Sequence, residues 1–103
     1  MNYYIKRNDL VETNNVVLLE ALENYTLFHL KDGSKIISSL TLKRHQEKLE
    51  LEPFVRVNRS MIINTNFVQK ILCKNDTNFI CLKNGKEVKV SRRRQATLGQ
   101  LAS

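Results

Sequence analysis

The sequence predicts a mostly β chain of many short strands with two helical segments. Short apolar runs, several of them β-branched, recur along the chain and alternate with clusters of polar turn residues. Asp32-Gly33 and Asn84-Gly85 each separate two such runs, as the turns of β-hairpins do. Only two stretches have the apolar spacing and the capping residues of helices.

The first strands come in quick succession. Val16–Leu22 begins with β-branched residues and predicts a buried strand. Tyr25–Leu30 follows after a break at Glu23-Asn24, and the Asp32-Gly33 turn leads to Ile36-Ile37. The Asp32-Gly33 turn predicts a hairpin between the last two of these strands.

The first helix is predicted to begin after Thr41, whose hydroxyl can cap it. It runs to about Glu50, and Leu42, His45 and Leu49 fall on one face. A partly buried, hydrogen-bonded histidine is therefore the expected role of His45.

The second half predicts more strands and a final helix. The predicted strands are Phe54–Val57, Met61–Ile63, Phe67–Lys74, Phe79–Leu82 and Val88–Val90. Polar turns separate them at Asn58-Arg59-Ser60, Asn64-Thr65-Asn66, Asn75-Asp76-Thr77 and Asn84-Gly85. Ser91 is then expected to cap a helix with Leu98 and Leu101 facing inward.

Two short stretches echo each other at an offset of 52 residues. Leu30-Lys31-Asp32-Gly33 matches Leu82-Lys83-Asn84-Gly85, and Ser39 matches Ser91. Because such hairpin turns are common, we interpret the echo as local convergence and not as a duplication.

Length and hydropathy restrict the architecture. The 103 residues predict one domain, residues 1–103, with a core that needs no metal or disulfide. The longest apolar run, Val16–Leu19, is far shorter than the ~20 residues of a membrane span. Residues 1–7 lack the apolar segment of a signal peptide. We therefore expect a cytoplasmic protein without a membrane partner.

The positive charge lies in one half of the chain. Residues 1–53 hold 7 Lys and Arg against 8 Asp and Glu, whereas residues 54–103 hold 10 against 2. A net of +8 in the second half favours a polyanion, with nucleic acid before a membrane surface. A basic face that is merely solvated is the alternative.

Catalytic groups are sparse, and we expect no enzyme activity, no cofactor and no metal. His29 and His45 are not spaced as a metal pair, and the three glycines are too dispersed for a phosphate loop. Cys73 and Cys81 flank a turn and could face each other across a hairpin, but reduced, buried thiols are favoured in a cytosolic chain.

Ser91-Arg92-Arg93-Arg94 is the first binding candidate. Cations at a helix start oppose the helix dipole and each costs typically ~0.3–1 kcal/mol. Such local conflicts concentrate at functional sites, and a phosphate bound there would reverse the penalty. The alternative is that these arginines pair with Glu87 or with carboxylates of the first half.

Asn58-Arg59-Ser60 is the second candidate, since it places three hydrogen-bonding side chains between two apolar strands. The alternative is an Asx turn that serves geometry alone. The aromatic residues do not alternate with basic ones, which argues against single-stranded nucleic acid. Neither predicted helix has the charge pattern of a recognition helix. If duplex DNA is the partner, loops and the start of the last helix must contact it.

Across residues 16–101 the chain resembles the LytTR family of DNA-binding domains. The most distinctive match is Phe54-Val55-Arg56-Val57-Asn58-Arg59-Ser60-Met61-Ile62-Ile63-Asn64. Further matches are Leu19-Glu20-Ala21, Asn24-Tyr25, Asp32-Gly33, Leu40-Thr41-Leu42-Lys43, Leu82-Lys83-Asn84-Gly85 and Val88-Lys89-Val90-Ser91-Arg92-Arg93. Asn58 stands where many members carry histidine. Members usually follow a receiver domain, so the chain is either a free-standing regulator or an excised domain.

The resemblance implies short antiparallel strands in small packed sheets with little helix. It also implies that loops enter successive major grooves of duplex DNA. The residues that it places against DNA are Glu23, Asn24, Tyr25, Thr41, Lys43, Asn58, Arg59, Ser60, Ser91, Arg92 and Arg93. Arg59 and Arg93 match base-contacting positions, and Thr41 and Lys43 match phosphate-contacting ones.

The leading hypothesis is therefore a sequence-specific transcriptional regulator. It is expected to bind two half-sites about one helical turn, ~10 bp, apart, with a homodimer on DNA as one option. The alternatives are a small basic β module that binds an acidic protein, and a module that binds RNA.

Overall fold

A computed structural model describes residues 1–6 and 8–97, and it confirms a mostly β fold with small antiparallel sheets. The strands are β1 (Asn2–Lys6), β2 (Asp9–Glu12), β3 (Val16–Leu22), β4 (Tyr25–Leu30), β5 (Lys35–Ser38), β6 (Phe54–Asn58), β7 (Met61–Asn64), β8 (Val68–Lys74), β9 (Thr77–Leu82) and β10 (Glu87–Lys89). The helix α1 spans Leu42–Lys48, and three 3-10 helices span Thr13–Asn15, Thr65–Phe67 and Arg92–Thr97.

The strands form three antiparallel sheets. Their orders are β1-β2, β5-β4-β3-β7-β6 and β10-β9-β8. The five-stranded sheet joins the two halves of the chain, because Leu18, Leu19 and Glu20 on β3 pair with Ile63, Ile62 and Met61 on β7. The second half thus completes a sheet that the first half begins.

The predicted turns close the hairpins. Gly33 and Gly85 adopt φ of 91° and 90°, values that side chains disfavour, which explains why glycine follows the Asx residue in both turns. Glu23, Asn75 and Asp76 also have positive φ. Asn and Asp tolerate this conformation better than Glu does, so the β3–β4 turn at Glu23 carries local strain.

Two apolar clusters form the core. One combines residues of β1, β3, β4 and α1 with Ile62, and its centre includes Phe28, Leu19 and Leu49. The other combines the middle of β3 with β6, β7, β9 and β10, and it includes Leu18, Ile63 and Leu82. Because β3 contributes Val16 and Leu19 to the first cluster and Val17 and Leu18 to the second, it holds the two halves together.

Helix α1 is shorter than predicted but begins where expected. The Thr41 hydroxyl accepts a hydrogen bond from the Arg44 N–H at 3.4 Å. The predicted inward face is confirmed, since Leu42, His45 and Leu49 are all buried. His45 is completely enclosed, and its ring nitrogens contact other side chains, as expected for a satisfied histidine.

Two regions differ from the sequence interpretation or extend it. The β1–β2 hairpin, which carried no prediction, packs Tyr3 and Ile5 into the core. The final helix is described as a 3-10 helix over Arg92–Thr97, and the predicted inward residues Leu98 and Leu101 lie outside the described part.

Both cysteines are free thiols, as predicted, but only Cys81 is buried, and the prediction of a buried Cys73 was wrong because its side chain is exposed on β8. They do not face each other, because Cys73 lies opposite Asn78 and Cys81 lies opposite Lys70. Over residues 1–6 and 8–97, no helix is long and apolar enough to cross a membrane.

The interpretation of the 52-residue echo as local convergence was wrong. Strands β1 to β4 recur as β6 to β9 with every boundary displaced by 52 residues, and β5 recurs as β10. The 3-10 helices Thr13–Asn15 and Thr65–Phe67 are displaced by the same amount. Sequence comparison missed the repeat because few of the paired residues are identical.

Candidate nucleic-acid interface

The β6–β7 turn is built around the Asn58 side chain. Its Oδ1 accepts hydrogen bonds from the Ser60 N–H at 2.9 Å and from the Ser60 hydroxyl at 3.1 Å, which makes an Asx turn. Its Nδ2 donates to the Lys89 carbonyl at 2.7 Å and so ties the turn to β10. Asn58 therefore positions the turn, and its side chain is engaged within the protein.

Arg56 braces the same turn from β6. Its Nε donates to the Asn58 carbonyl at 3.2 Å, and another guanidinium nitrogen donates to the Arg59 carbonyl. A third donates to Oε1 of Gln46 on α1 at 3.1 Å. One planar guanidinium thus fixes the turn backbone against the helix.

The Arg59 side chain projects from this braced backbone. It is exposed, and it has no hydrogen-bond or ion-pair partner among residues 1–6 and 8–97. A cation that lies on a fixed turn without an internal partner remains available to an anion or a base edge.

The start of the last 3-10 helix is anchored beside that turn. The Ser91 N–H donates to the Val57 carbonyl at 3.0 Å, and the Ser91 carbonyl accepts from the Arg94 N–H at 3.0 Å. Arg92 and Arg93 are exposed. The predicted alternative of pairing with Glu87 is not observed for them, because Glu87 binds Lys74 at 2.9 Å.

These two segments enclose a cleft of about 360 Å³ with four arginines. Its lining consists of Arg56, Arg59, Ser91, Arg93 and Arg94, with no acidic side chain from the described residues. Burial, and then the charge of Arg94, lower the pKa of Arg56. The positive charge of Arg94 destabilises the charged form of Arg56, and a bound anion would stabilise it. The cleft therefore suits phosphate.

A second cavity, of about 470 Å³, brings the first half of the chain to the same face. It is lined by Glu23, Thr41 and Lys43 together with Arg59 and Ser60, among others. The Ala21 N–H donates to the Ser60 carbonyl at 2.8 Å and holds the β6–β7 turn against β3. Residues predicted from distant segments therefore meet around Arg59.

A third cavity, of about 700 Å³, shares Arg59 and Ser60 with the second. Asn58, Arg59, Ser60, Ser91 and Arg92 contribute to it. Nine of the eleven predicted residues thus line three adjoining cavities. Asn24 lies on the β3–β4 turn and Tyr25 begins β4; both are exposed, but neither lines any of the three cavities.

Comparison with known proteins places this arrangement in a family. The LytTr DNA-binding domain model matches residues 6–103. The chain belongs to the LytTR family. The LytTr DNA-binding domain of a Bacillus cereus protein described as a putative methyl-accepting/DNA response regulator has a similar fold, with a TM-score of 0.82 and 24% identity over 99% of this chain and 96% of that one. No curated protein sequence matches the chain.

The candidate interface of this LytTR domain also includes residues that the sequence analysis did not predict. The 700 Å³ cavity is also lined by the Asn75-Asp76-Thr77 turn, Lys89 and Gln95. Arg56 and Arg94 complete the four-arginine cleft. The offset of 52 could have located the turn, because Asn75, Asp76 and Thr77 correspond to Glu23, Asn24 and Tyr25. Arg56 is the one charged residue in the otherwise apolar run Phe54–Val57, so the sequence could have indicated that it has a specific role.

Proposed function

We propose that this LytTR domain is a transcriptional regulator that binds duplex DNA sequence-specifically, with residues 1–103 acting as one domain. The observation that carries the proposal is the position of Arg59. It projects from a braced turn and lines all three adjoining cavities of one basic face. Affinity would come largely from phosphates, and specificity from a few side chains on this face.

Arg59 and Arg93 are the proposed base-contacting residues. Both are exposed arginines at the four-arginine cleft, and a guanidinium can donate two hydrogen bonds to O6 and N7 of guanine in the major groove. Thr41 and Lys43 are exposed at the N-terminal end of α1. Their hydroxyl and ammonium groups can donate hydrogen bonds to phosphate oxygens, and both are proposed phosphate-contacting residues.

Loops, and not a recognition helix, would enter the grooves. Helix α1 has only seven residues, and its apolar side is buried. The turn after β3, the β6–β7 turn and the Ser91-Arg92-Arg93 segment are proposed to contact successive major grooves, as the family resemblance implies.

In vitro selection from random duplex DNA at near-physiological salt tests the proposal. We expect enrichment of one motif, and the Arg59→Ala/Arg93→Ala double variant should not enrich it. The Arg44→Ala/Lys48→Ala variant is the matched control, because it removes two exposed cations from α1 outside the three cavities. A flat profile for the native protein would contradict sequence-specific binding. Tighter binding to RNA, or to an acidic protein, would instead support one of the alternatives.

The number of half-sites is tested by footprinting on the selected motif. We expect two protected half-sites about one helical turn, ~10 bp, apart, occupied by two molecules. Protection of a single half-site at saturating protein would overturn this part of the proposal and leave DNA binding itself intact.

A further inference from the structure

The chain consists of one structural unit that occurs twice. We call residues 2–48 unit 1 and residues 54–97 unit 2. The strand pairs match residue by residue, since Tyr3↔Val11 and Phe28↔Ile36 in unit 1 become Val55↔Ile63 and Ile80↔Val88 in unit 2. Both members of each pair are displaced by 52 residues.

Irregularities in the sheets repeat as well. The β3–β4 ladder shifts register after Val16, and the β8–β9 ladder shifts after Val68. The Lys31 N–H donates to the Asn15 carbonyl at 2.8 Å, and the Lys83 N–H donates to the Phe67 carbonyl at 2.8 Å. A bulge and a long-range hydrogen bond at equivalent places indicate one backbone design used twice.

The two units are joined by adding a hairpin to a sheet. In unit 1, the outer side of β3 receives β7, so the β6–β7 hairpin of unit 2 extends the β5-β4-β3 sheet. In unit 2, the equivalent of β3 is β8, and no described strand pairs with its outer side. The equivalent of β7 is β2, whose outer side is also unpaired within the described part of the chain.

Apolar residues occupy the equivalent positions at these two unpaired edges. At the junction, Leu19 and Ile62 are paired and buried, with 0% and 1% exposure. Their equivalents are Ile71, partly buried on β8, and Leu10, which is 48% exposed on β2. A half-exposed leucine on an open strand edge is a template for pairing with another strand.

We infer that a second copy of this chain adds its β1–β2 hairpin to the outer edge of β8, as β6–β7 adds to β3. The register of the junction then pairs Lys70, Ile71 and Leu72 with Val11, Leu10 and Asp9 of the second copy. Asp9 would lie diagonally across from Lys70 on the same face, so the charges are complementary. The contact is head-to-tail, because the two copies use different edges.

The junction between the two units identifies two positions that the proposed contact would bring close enough for a disulfide. The Ala21 N–H and the Ser60 carbonyl are joined by a hydrogen bond of 2.8 Å, and their equivalents at the new contact are Cys73 and Asn8 of the second copy. Cys73 and Asn8 are both exposed. An Asn8→Cys/Cys73→Ser variant mixed with the native chain should therefore form a disulfide between its introduced thiol at position 8 and the native Cys73.

Mild oxidation followed by peptide mass spectrometry measures that link. The control is Lys48→Cys/Cys73→Ser, which places an exposed thiol away from both edges. The protein concentration should be about 1 mM, because a contact with a Kd in the millimolar range is then populated. We expect about ten times more of the peptide that links position 8 to Cys73 than of the control peptide that links position 48 to Cys73. Equal yields, or no peptide that links position 8 to Cys73, would overturn the inference.

A second measurement leaves Asn8 in the β1–β2 turn unchanged and substitutes a strand residue instead. Leu10→Lys places a charge where the contact would bury an apolar side chain, so the Kd of self-association measured by ultracentrifugation should rise about tenfold. Ile37→Lys is the control, because Ile37 is 46% exposed on the β5 edge, which the contact does not use. Equal effects of the two substitutions would overturn the inference. Neither experiment involves DNA, so either result leaves the proposed function standing.

Discussion

The Asn58 side-chain amide donates to the Lys89 carbonyl at 2.7 Å and thereby ties the β6–β7 turn to β10. The same side chain accepts two hydrogen bonds from Ser60. The Asn58 side chain therefore holds the backbone around Arg59 through hydrogen bonds to Ser60 and to Lys89, and these bonds use its own amide group within the protein. The family resemblance predicted that Asn58 contacts DNA, yet its hydrogen bonds indicate a positioning role.

We predict that Asn58→Ala lowers the free energy of unfolding by about 1–2 kcal/mol, because it removes hydrogen bonds to the turn and to β10. Specific DNA affinity should fall, while the slope of log K against log salt stays unchanged, since no charge is lost. Urea denaturation and binding titrations at several salt concentrations measure both. Ser60→Ala is the control for stability, because it removes only the 3.1 Å hydroxyl contact and should lower the free energy of unfolding less. Unchanged stability for Asn58→Ala would contradict the positioning role.

Arg56→Lys tests the brace without changing charge. A lysine cannot contact the Asn58 carbonyl, the Arg59 carbonyl and Gln46 at once, because it lacks the planar fork of nitrogens. We expect a loss of about 1 kcal/mol in stability, seen as a Tm lower by roughly 4–8 °C, with weaker specific binding. Arg44→Lys, an exposed conservative change on α1, should alter neither quantity. Equal behaviour of the two variants would show that the brace is dispensable.

Most strands could be predicted because their signals are local. The Asp32-Gly33 and Asn84-Gly85 turns specify hairpins within a few residues, and Thr41 marks the start of α1. The β1–β2 hairpin gave no such signal. Its place depends on Tyr3, which meets His45 across 42 positions of sequence, and a contact of that range leaves no trace in a short window.

The site was predictable only in part, for the same reason. Charge and the family motif indicated Arg59 and Arg93, since arginines at a turn and at a helix start are visible in sequence. The brace by Arg56 requires Gln46 on another element, and the approach of Asn75-Asp76-Thr77 to Ser91 requires β9 to pair with β10. Both are tertiary relationships.

His45 should make stability depend on pH. Tyr3 Oη lies 2.6 Å from His45 Nδ1, and Ser38 Oγ lies 2.8 Å from Nε2. Burial, and then the charge of Lys48, lower the pKa of His45 from 6.5 to about 4. Between pH 6.5 and 4 the unfolded chain binds a proton that the folded chain does not, so the free energy of unfolding falls as pH falls, by roughly 3 kcal/mol in all.

Denaturant titrations from pH 8 to 4 measure this dependence. His45→Gln should be less stable than the native chain at pH 8 but should show a flatter decline below pH 6.5. His29→Gln is the comparison: burial lowers the His29 pKa, but the hydrogen bond with Glu20 raises it, so this variant should keep most of the decline. A native-like slope in His45→Gln would assign the pH dependence to other groups.

Arg59, Arg93 and Lys43 should differ in how they contribute to DNA binding. If Arg59 and Arg93 contact guanine, each change to alanine costs about 1–3 kcal/mol on the selected motif and relaxes preference at one base position. If Lys43 contacts phosphate, Lys43→Ala weakens binding to all duplexes alike and reduces the salt slope by about 1. Titrations against the motif and its single-base variants separate the two behaviours. If Arg93→Ala left both affinity and base preference unchanged, the cleft that it shares with Arg56, Arg59 and Arg94 would not be the base-contacting surface.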